Sequence, residues 1–147
     1  MTRQKVVPFL WFDGKAGEAA RFYISVFGEG RIIAETPVTT SFELRGQEYG
    51  ALNGGPMYQF SEATSFMIRC SDQAEVDHFW NALTADGGKE SMCAWLKDKY
   101  GVSWQVVPDK LIELMSDPDR GRAERATQAM LKMRKIVIAD LEAAANG

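Results

Sequence analysis

Apolar residues crowd positions 5–12, KVVPFLWF, up to a polar break at Asp13-Gly14, and a short continuous run of that kind predicts a buried strand. Beyond it Ala16, Ala19, Ala20, Tyr23 and Phe27 recur at helical spacing until Gly28, which predicts an amphipathic helix closed by a glycine cap. Three strand-like stretches follow near 31–36, 38–44 and 47–53, with Arg45-Gly46 as the turn between the last two. The order then starts again. TSFMIRC at 64–70 reads as a strand, Asp72 and Glu75 as a capping pair, and Val76, Phe79, Trp80 and Leu83 as the apolar stripe of a second helix that Gly87-Gly88 ends. Weaker strands near 90–97 and 102–107 complete the series, the last entered through a tight turn at Gly101 and stopped by Pro108.

Sliding the chain against itself tests that impression. An offset of 57 puts Phe9 on Phe66, Glu18 on Glu75, Phe22 on Phe79 and Tyr23 on Trp80; an offset of 55 pairs Gly46 with Gly101 and Tyr49 with Trp104. The chain is therefore read as two βαβββ modules, about 5–55 and 62–108, in one α+β domain spanning 1–147. The modules are expected to form a curved mixed sheet around a shared cavity, with a helix on the outer side of each half. Residues two apart on a strand face the same way. Phe66, Ile68 and Cys70 are then expected under their helix, with Ser65, Met67 and Arg69 on the cavity side. The offset extends this to Phe9 and Trp11 as core, with Pro8, Leu10 and Phe12 facing inward. In the last strand Val102, Trp104 and Val106 are expected in the core and Ser103, Gln105 and Val107 inside.

The segment 109–147 stands outside the repeat as a C-terminal helical extension. Asp117-Pro118 reads as a helix start, with Asp as N-cap and Pro in the first turn. Ala123, Ala126, Thr127, Met130, Leu131 and Met133 form an apolar stripe, and residues 136–145 suggest a short extended piece and a last helical turn or two. That stripe needs a cover, either within the chain or from a partner subunit.

Charge and cysteine content narrow the function classes. A net charge of -3 and a pI near 5.2 argue against phosphate-backbone binding and hence against a nucleic-acid partner. The basic positions Arg120, Arg122, Arg125, Lys132, Arg134 and Lys135 read as the solvated side of a helix. Cys70 and Cys93, in a chain whose first residues show neither an export signal nor a membrane span, read as reduced thiols of a cytoplasmic protein.

PFLWFDGKAGEAARFYISVFG, ALNGGP, ATSFMIRC, CAWLKDKYGVSWQVVP and the tail AMLKMRKI together resemble the PhnB-like branch of the vicinal oxygen chelate superfamily, which includes glyoxalase I, bleomycin-resistance proteins and extradiol dioxygenases. Members of this branch often carry the label 3-demethylubiquinone-9 3-methyltransferase. The resemblance runs from about Val7 to Ala143, with WLKDKYGVSWQVVP its most specific part. It implies the paired βαβββ fold and a homodimer. It fixes the chemistry far less, since this fold hosts isomerases, dioxygenases and simple binders.

The superfamily's metal enzymes take ligands, usually His and Glu, from the first and last strands of each module, and those positions carry over to Pro8, Gly50, Ser65 and Gln105. A one-residue shift in the first strand would put Phe9 in place of Pro8. Neither choice supplies a donor, and a neutral Gln carboxamide coordinates weakly, so no metal or other cofactor is expected. His78 lies off the apolar stripe of its helix and is expected to face solvent, which weakens any nucleophile pair with Cys93. A nucleotide-type methyl donor wants a Gly-rich turn from strand to helix. Here FGEGR follows a helix, and NGGP leaves a strand for a loop.

What remains is an apolar cup, with Leu10, Phe12, Leu52 and Met67 as walls, and a few polar groups. The candidate ligand-binding residues are Glu48, Ser65, Met67, Arg69, Trp95 and Gln105, with Ser103 nearby; no catalytic residue is assigned. Asn53 reads as a turn residue. The expectation is a metal-free, dimeric binder of a flat small organic molecule. The alternatives are an enzyme of the same superfamily, either a metal-dependent lyase or isomerase or a methyl transferase, and a scaffold whose dimer surface is its function.

Overall fold

The computed structural model describes residues 3–147 and is mixed α+β. Two compact units divide the chain, Met1–Phe60 and Ser61–Gly147.

In the first unit β1 (Phe9–Phe12), α1 (Ala16–Phe27), β2 (Arg31–Glu35), β3 (Thr39–Leu44) and β4 (Gln47–Asn53) build a four-stranded sheet in the order β1-β4-β3-β2, parallel between β1 and β4 and otherwise antiparallel. The hairpin between β3 and β4 turns through Arg45 and Gly46, both at positive φ, the two-residue geometry that matches strand twist. Gly28 caps α1 in the left-handed region, its N–H on the carbonyl of Ile24.

The second unit repeats the order with β5 (Phe66–Cys70), α2 (Gln73–Thr84), β6 (Lys89–Glu90), β7 (Trp95–Lys97) and β8 (Ser103–Pro108), arranged β5-β8-β7-β6 with β5 parallel to β8. Asp72 accepts the N–H of Glu75 and opens α2, while Glu75 reaches back to the N–H of Ser71. Val76, Phe79, Trp80 and Leu83 are buried, as their spacing predicts. Neither glycine pair joins a strand to a helix: Gly28 and Gly30 lie between α1 and β2, and Gly54 and Gly55 follow β4.

A one-residue difference between the modules corrects the faces of the first strand. Phe9 pairs with Gly50, whereas Phe66 pairs with Trp104 and Met67 with Gln105. Phe9 is thus the counterpart of Met67, an offset of 58, while the helices start 57 apart at Ala16 and Gln73. The loop Asp13-Gly14-Lys15 holds one residue more than Ser71-Asp72 and absorbs the difference, with Gly14 at φ +72°. A slip of one residue exchanges the faces of a strand. Leu10 and Phe12, expected to face the cavity, are therefore buried at 7% and 3% exposure, on the side where Tyr23 of α1 stacks on Phe42. Phe9, expected in the core, is 60% exposed, and Trp11 is half-buried. Leu52, level with Trp11, lies on the open face as expected.

The extension contains α3 (Asp109–Met115), α4 (Arg120–Met130) and α5 (Ile138–Asn146). The N-cap of α4 is Asp119, not Asp117: Asp119 accepts the N–H groups of Gly121 and Arg122, and Asp117 instead accepts the N–H of Asp119 and pairs with Arg122. Most of the stripe finds its cover within the second unit, while Leu131 stays 48% exposed. Ala126, Leu111, Leu114, Ile136, Leu141 and Ala145 bury one another and pack on Ala94 and Val107, so Val107, expected inside a cavity, is core. The basic face is partly structural: Arg125 donates to the carbonyl of Ala145 at the end of α5, and Lys135 pairs with Asp77 of α2. Among the described residues no helix is long and apolar enough to cross a membrane.

Candidate functional site

The sheet of the second unit buries one face against α2 through Ile68, Cys70, Leu96, Trp104 and Val106. Alternation puts the other side chains on the opposite face. Register then arranges that face in rows across the strands. Met67, Gln105 and Trp95 stand level with one another, Arg69 is level with Val107, and Ser103 is level with Lys97. Ser65, just before β5, holds Gln105 in place: the carboxamide Nε2 donates to the Ser65 hydroxyl at 2.9 Å. Ser65, Gln105 and Trp95 are half-buried, and Met67 and Arg69 are exposed. Five of the six predicted residues thus share one face of one sheet. Glu48 belongs to the other unit, where it stands level with Glu43 on the open face of β4 and its backbone is bracketed by the side chain of Gln4.

Two groups on the face of the second unit have no partner among the described residues. Arg69 makes no hydrogen bond or ion pair. The Ser103 hydroxyl is buried without a hydrogen bond. Lys97, by contrast, is paired with Glu62.

The stretch WLKDKYGVSWQVVP owes its pattern to a hairpin that positions this face. Asp98 is 2% exposed and accepts hydrogen bonds from the N–H of Tyr100 at 2.8 Å, the N–H of Val102 at 3.1 Å and the indole of Trp104 at 2.9 Å. Gly101, at φ +89°, permits the chain reversal inside that loop. The result is a fixed register in which Trp95 and Gln105 are neighbours. Asp98 lacked a signal as a single residue, although the Asp-x-x-Gly-x-x-Trp spacing contains it.

Upstream of Trp95 the backbone is unusual. Cys93 and Ala94 both have positive φ, at 57° and 76°, and their N–H groups donate to the carbonyls of Met133 and Arg134 in the extension. Consecutive left-handed non-glycine residues cost energy and persist only where the surroundings enforce them. The Cys93 thiol donates to the carbonyl of Leu131, and His78 lies on the exposed side of α2. Burial pushes the Cys70 thiol up to about 12, with the carboxylates of Glu75, Asp109 and Asp72 adding to the effect.

The positions that the resemblance assigns to metal ligands do not suit a metal. Gly50 is covered by the ring of Phe9, and a Cβ placed there would come within 2.7 Å of it. Gln105 offers a neutral amide already engaged in part by Ser65. Among the described residues no group of three His, Cys, Asp or Glu side chains forms that could hold an ion. Asn53, read as a turn residue, ties two segments to the end of β4. Its Oδ1 accepts the N–H of Ala16 at the start of α1, and its Nδ2 donates to the carbonyl of Pro37.

Comparison with known proteins agrees with this architecture. The PhnB protein of Bacillus cereus is 31% identical, covering 71% of this chain and 99% of its own, with a TM-score of 0.64. A glyoxalase-related enzyme from Fulvimarina pelagi is 18% identical over 72% of this chain and 88% of its own, at TM-score 0.54. A glyoxalase/bleomycin resistance protein from Albidiferax ferrireducens is 14% identical over 71% and 98%, at 0.52. These two show the fold alone. No curated protein matches the sequence. The family profile described as 3-demethylubiquinone-9 3-methyltransferase matches residues 4–107, and the chain, with its two βαβββ sheets, belongs to that family.

Proposed function

We propose that this protein binds a small, flat organic molecule without a metal ion, on the open sheet face of its second unit. The observation that carries the reading is the hydrogen bond from Gln105 to Ser65, made at two positions where a metal enzyme of the superfamily would present ligands. A carboxamide held by a hydroxyl offers hydrogen bonds but no anionic donor. Met67 beside it supplies a polarizable surface and Trp95 a rigid ring, suited to a flat partner. Few polar groups amid apolar ones give orientation without chemistry, which is what a binder needs. On this reading a cytoplasmic homodimer, with neither nucleic acid nor membrane as partner, is the working form.

Two measurements test it together. Protein purified without chelator is expected to carry far less than one divalent ion per chain, and the neutral fluorophore N-phenyl-1-naphthylamine is expected to bind with quenching of tryptophan emission. Stoichiometric metal, or no saturable binding of the fluorophore, overturns the reading. Sedimentation at several concentrations tests the dimer. The family description favours methyl transfer as a second reading. Calorimetry with S-adenosylmethionine decides it, micromolar binding establishing a cofactor site that the glycine-containing loops do not provide.

A further inference from the structure

The charge left over on the open face of the second unit specifies the ligand further. Arg69 is exposed and engages its guanidinium in no hydrogen bond or ion pair among the described residues, in a chain where Arg21, Arg31, Arg45 and Arg122 all pair with carboxylates. It lies two residues beyond Met67 on β5, on the same face as Gln105. Strand geometry sets its Cα about 8 Å from that of Gln105, one strand across and two residues along. The carboxamide oxygen of Gln105 also receives no hydrogen bond among the described residues, because the amide's contact with Ser65 uses its nitrogen. Further from Arg69, the buried hydroxyl of Ser103 is unpartnered as well. The face therefore offers a cation at one corner and, two residues along, a row in which an exposed Met67 stands beside an open acceptor on Gln105, with the buried Ser103 hydroxyl beyond.

We propose that the ligand of this face is a flat aromatic carboxylate with a hydrogen-bond donor at the end remote from its acid group. Its carboxylate pairs with Arg69, its ring lies over Met67, and its donor reaches the oxygen of Gln105, beyond which Trp95 bounds the row. A carboxylate fits better than a phosphate because Arg69 is the free cation there: Lys97, level with Ser103, is neutralised by Glu62. One guanidinium matches one negative charge in a bidentate pair. This inference rests on the small-molecule reading above and adds the charge and polarity of the ligand.

The probe is 6-hydroxy-2-naphthoate, which carries a carboxylate and a hydroxyl at opposite ends of a rigid bicycle, compared by fluorescence titration with its methyl ester, with 2-naphthoate and with 2-naphthyl phosphate. The acid is expected to bind at least about tenfold more tightly than the ester, the scale of one charge-assisted hydrogen-bonded pair. Arg69→Gln is expected to remove that preference while leaving ester binding unchanged. Gln105→Leu is expected to abolish the advantage of the hydroxy acid over 2-naphthoate. Arg69 is exposed, so its substitution leaves the fold intact, which circular dichroism checks. Equal binding of acid and ester, a preference that survives Arg69→Gln, tighter binding of the phosphate, or no binding of any of the four overturns the inference. If N-phenyl-1-naphthylamine still binds in any of those cases, the small-molecule reading stands and only the carboxylate is lost.

Discussion

Asp98 is a buried carboxyl whose partners include three donors, the N–H groups of Tyr100 and Val102 and the indole of Trp104. Such a group is costly to disturb, because each donor it satisfies would be orphaned in turn. Asp98→Asn keeps one oxygen but turns an amide N–H toward the indole N–H of Trp104 or the loop backbone. We expect it to destabilise the protein by about 2 kcal/mol in urea titration, the scale of a buried donor left unpaired. The two thiols differ by burial in the same way. Cys70 is fully buried and its thiol is held protonated, whereas Cys93 is half-exposed. One thiol per native chain is expected to react with a disulfide reagent near pH 8, rising to two after denaturation. Cys70 keeps its proton in the folded state up to about 12 but loses it near 9.0 when unfolded. Between those values the folded protein binds the extra proton, so stability falls as pH rises through that window. Cys70→Ala is expected to flatten that slope of melting temperature against pH.

At the scale of elements, the extension is tied to the second unit by charges as well as by its apolar cluster. Asp77 of α2 accepts from Gln73 at 3.0 Å and from Lys135 at 2.9 Å, while Gln73 also brackets the backbone of Ile136 and Ile138. These contacts, that of Gln73 first, hold the Asp77 carboxyl below its ordinary range; the N–H of Asp119 and then Arg122 do the same for Asp117. A depressed carboxylate stabilises the fold above its unfolded value, and that contribution disappears as pH falls through the folded one. Hydrogen-exchange protection of residues 133–138 is therefore expected to drop at acid pH before that of β5 and β8, and Asp77→Asn to weaken it already at neutral pH. The same segment supplies the carbonyls that hold Cys93 and Ala94 in their left-handed conformation ahead of Trp95. Cys93→Gly relieves that backbone while losing only a weak thiol contact, and is expected to raise stability by up to about 1 kcal/mol in thermal denaturation.

Across the whole molecule, what is legible in the sequence and what is hidden follow one division. Helix faces such as Val76, Phe79, Trp80 and Leu83 depend on periodicity within a segment, and so does the exposure of Met67 and Arg69 beside Ile68 and Cys70. Both can be read from the residues alone. Leu10 and Phe12 lie on the side opposite to that expected because a three-residue loop replaces a two-residue one, a difference that self-alignment at a single offset cannot register. Asn53 as the cap of Ala16 is invisible in the sequence for another reason, since the contact spans 37 residues. Val107 defies its strand parity because what covers it comes from helices outside the repeat. That difference bears on how the chain is built. The family profile ends at residue 107, and the Bacillus cereus protein is matched over 99% of its length by 71% of this chain. The helices beyond β8 are thus an addition to the shared fold, yet Val107 is 7% exposed beneath them and Ala94 1%. A chain ending after Pro108 would bare both residues and free the N–H groups of Cys93 and Ala94 from their carbonyls. Uncovering Val107 alone costs about 2 kcal/mol. We expect the truncated chain to be less stable by at least that amount in urea titration. The loss should be accompanied by faster hydrogen exchange at Trp95 and Val106, since the N–H of Val106 donates to the carbonyl of Ala94 and the turn before Trp95 has lost its hold. A truncated chain with unchanged stability and exchange would mean that β7 keeps its path unaided and that the extension is an appendage rather than a wall of the second unit.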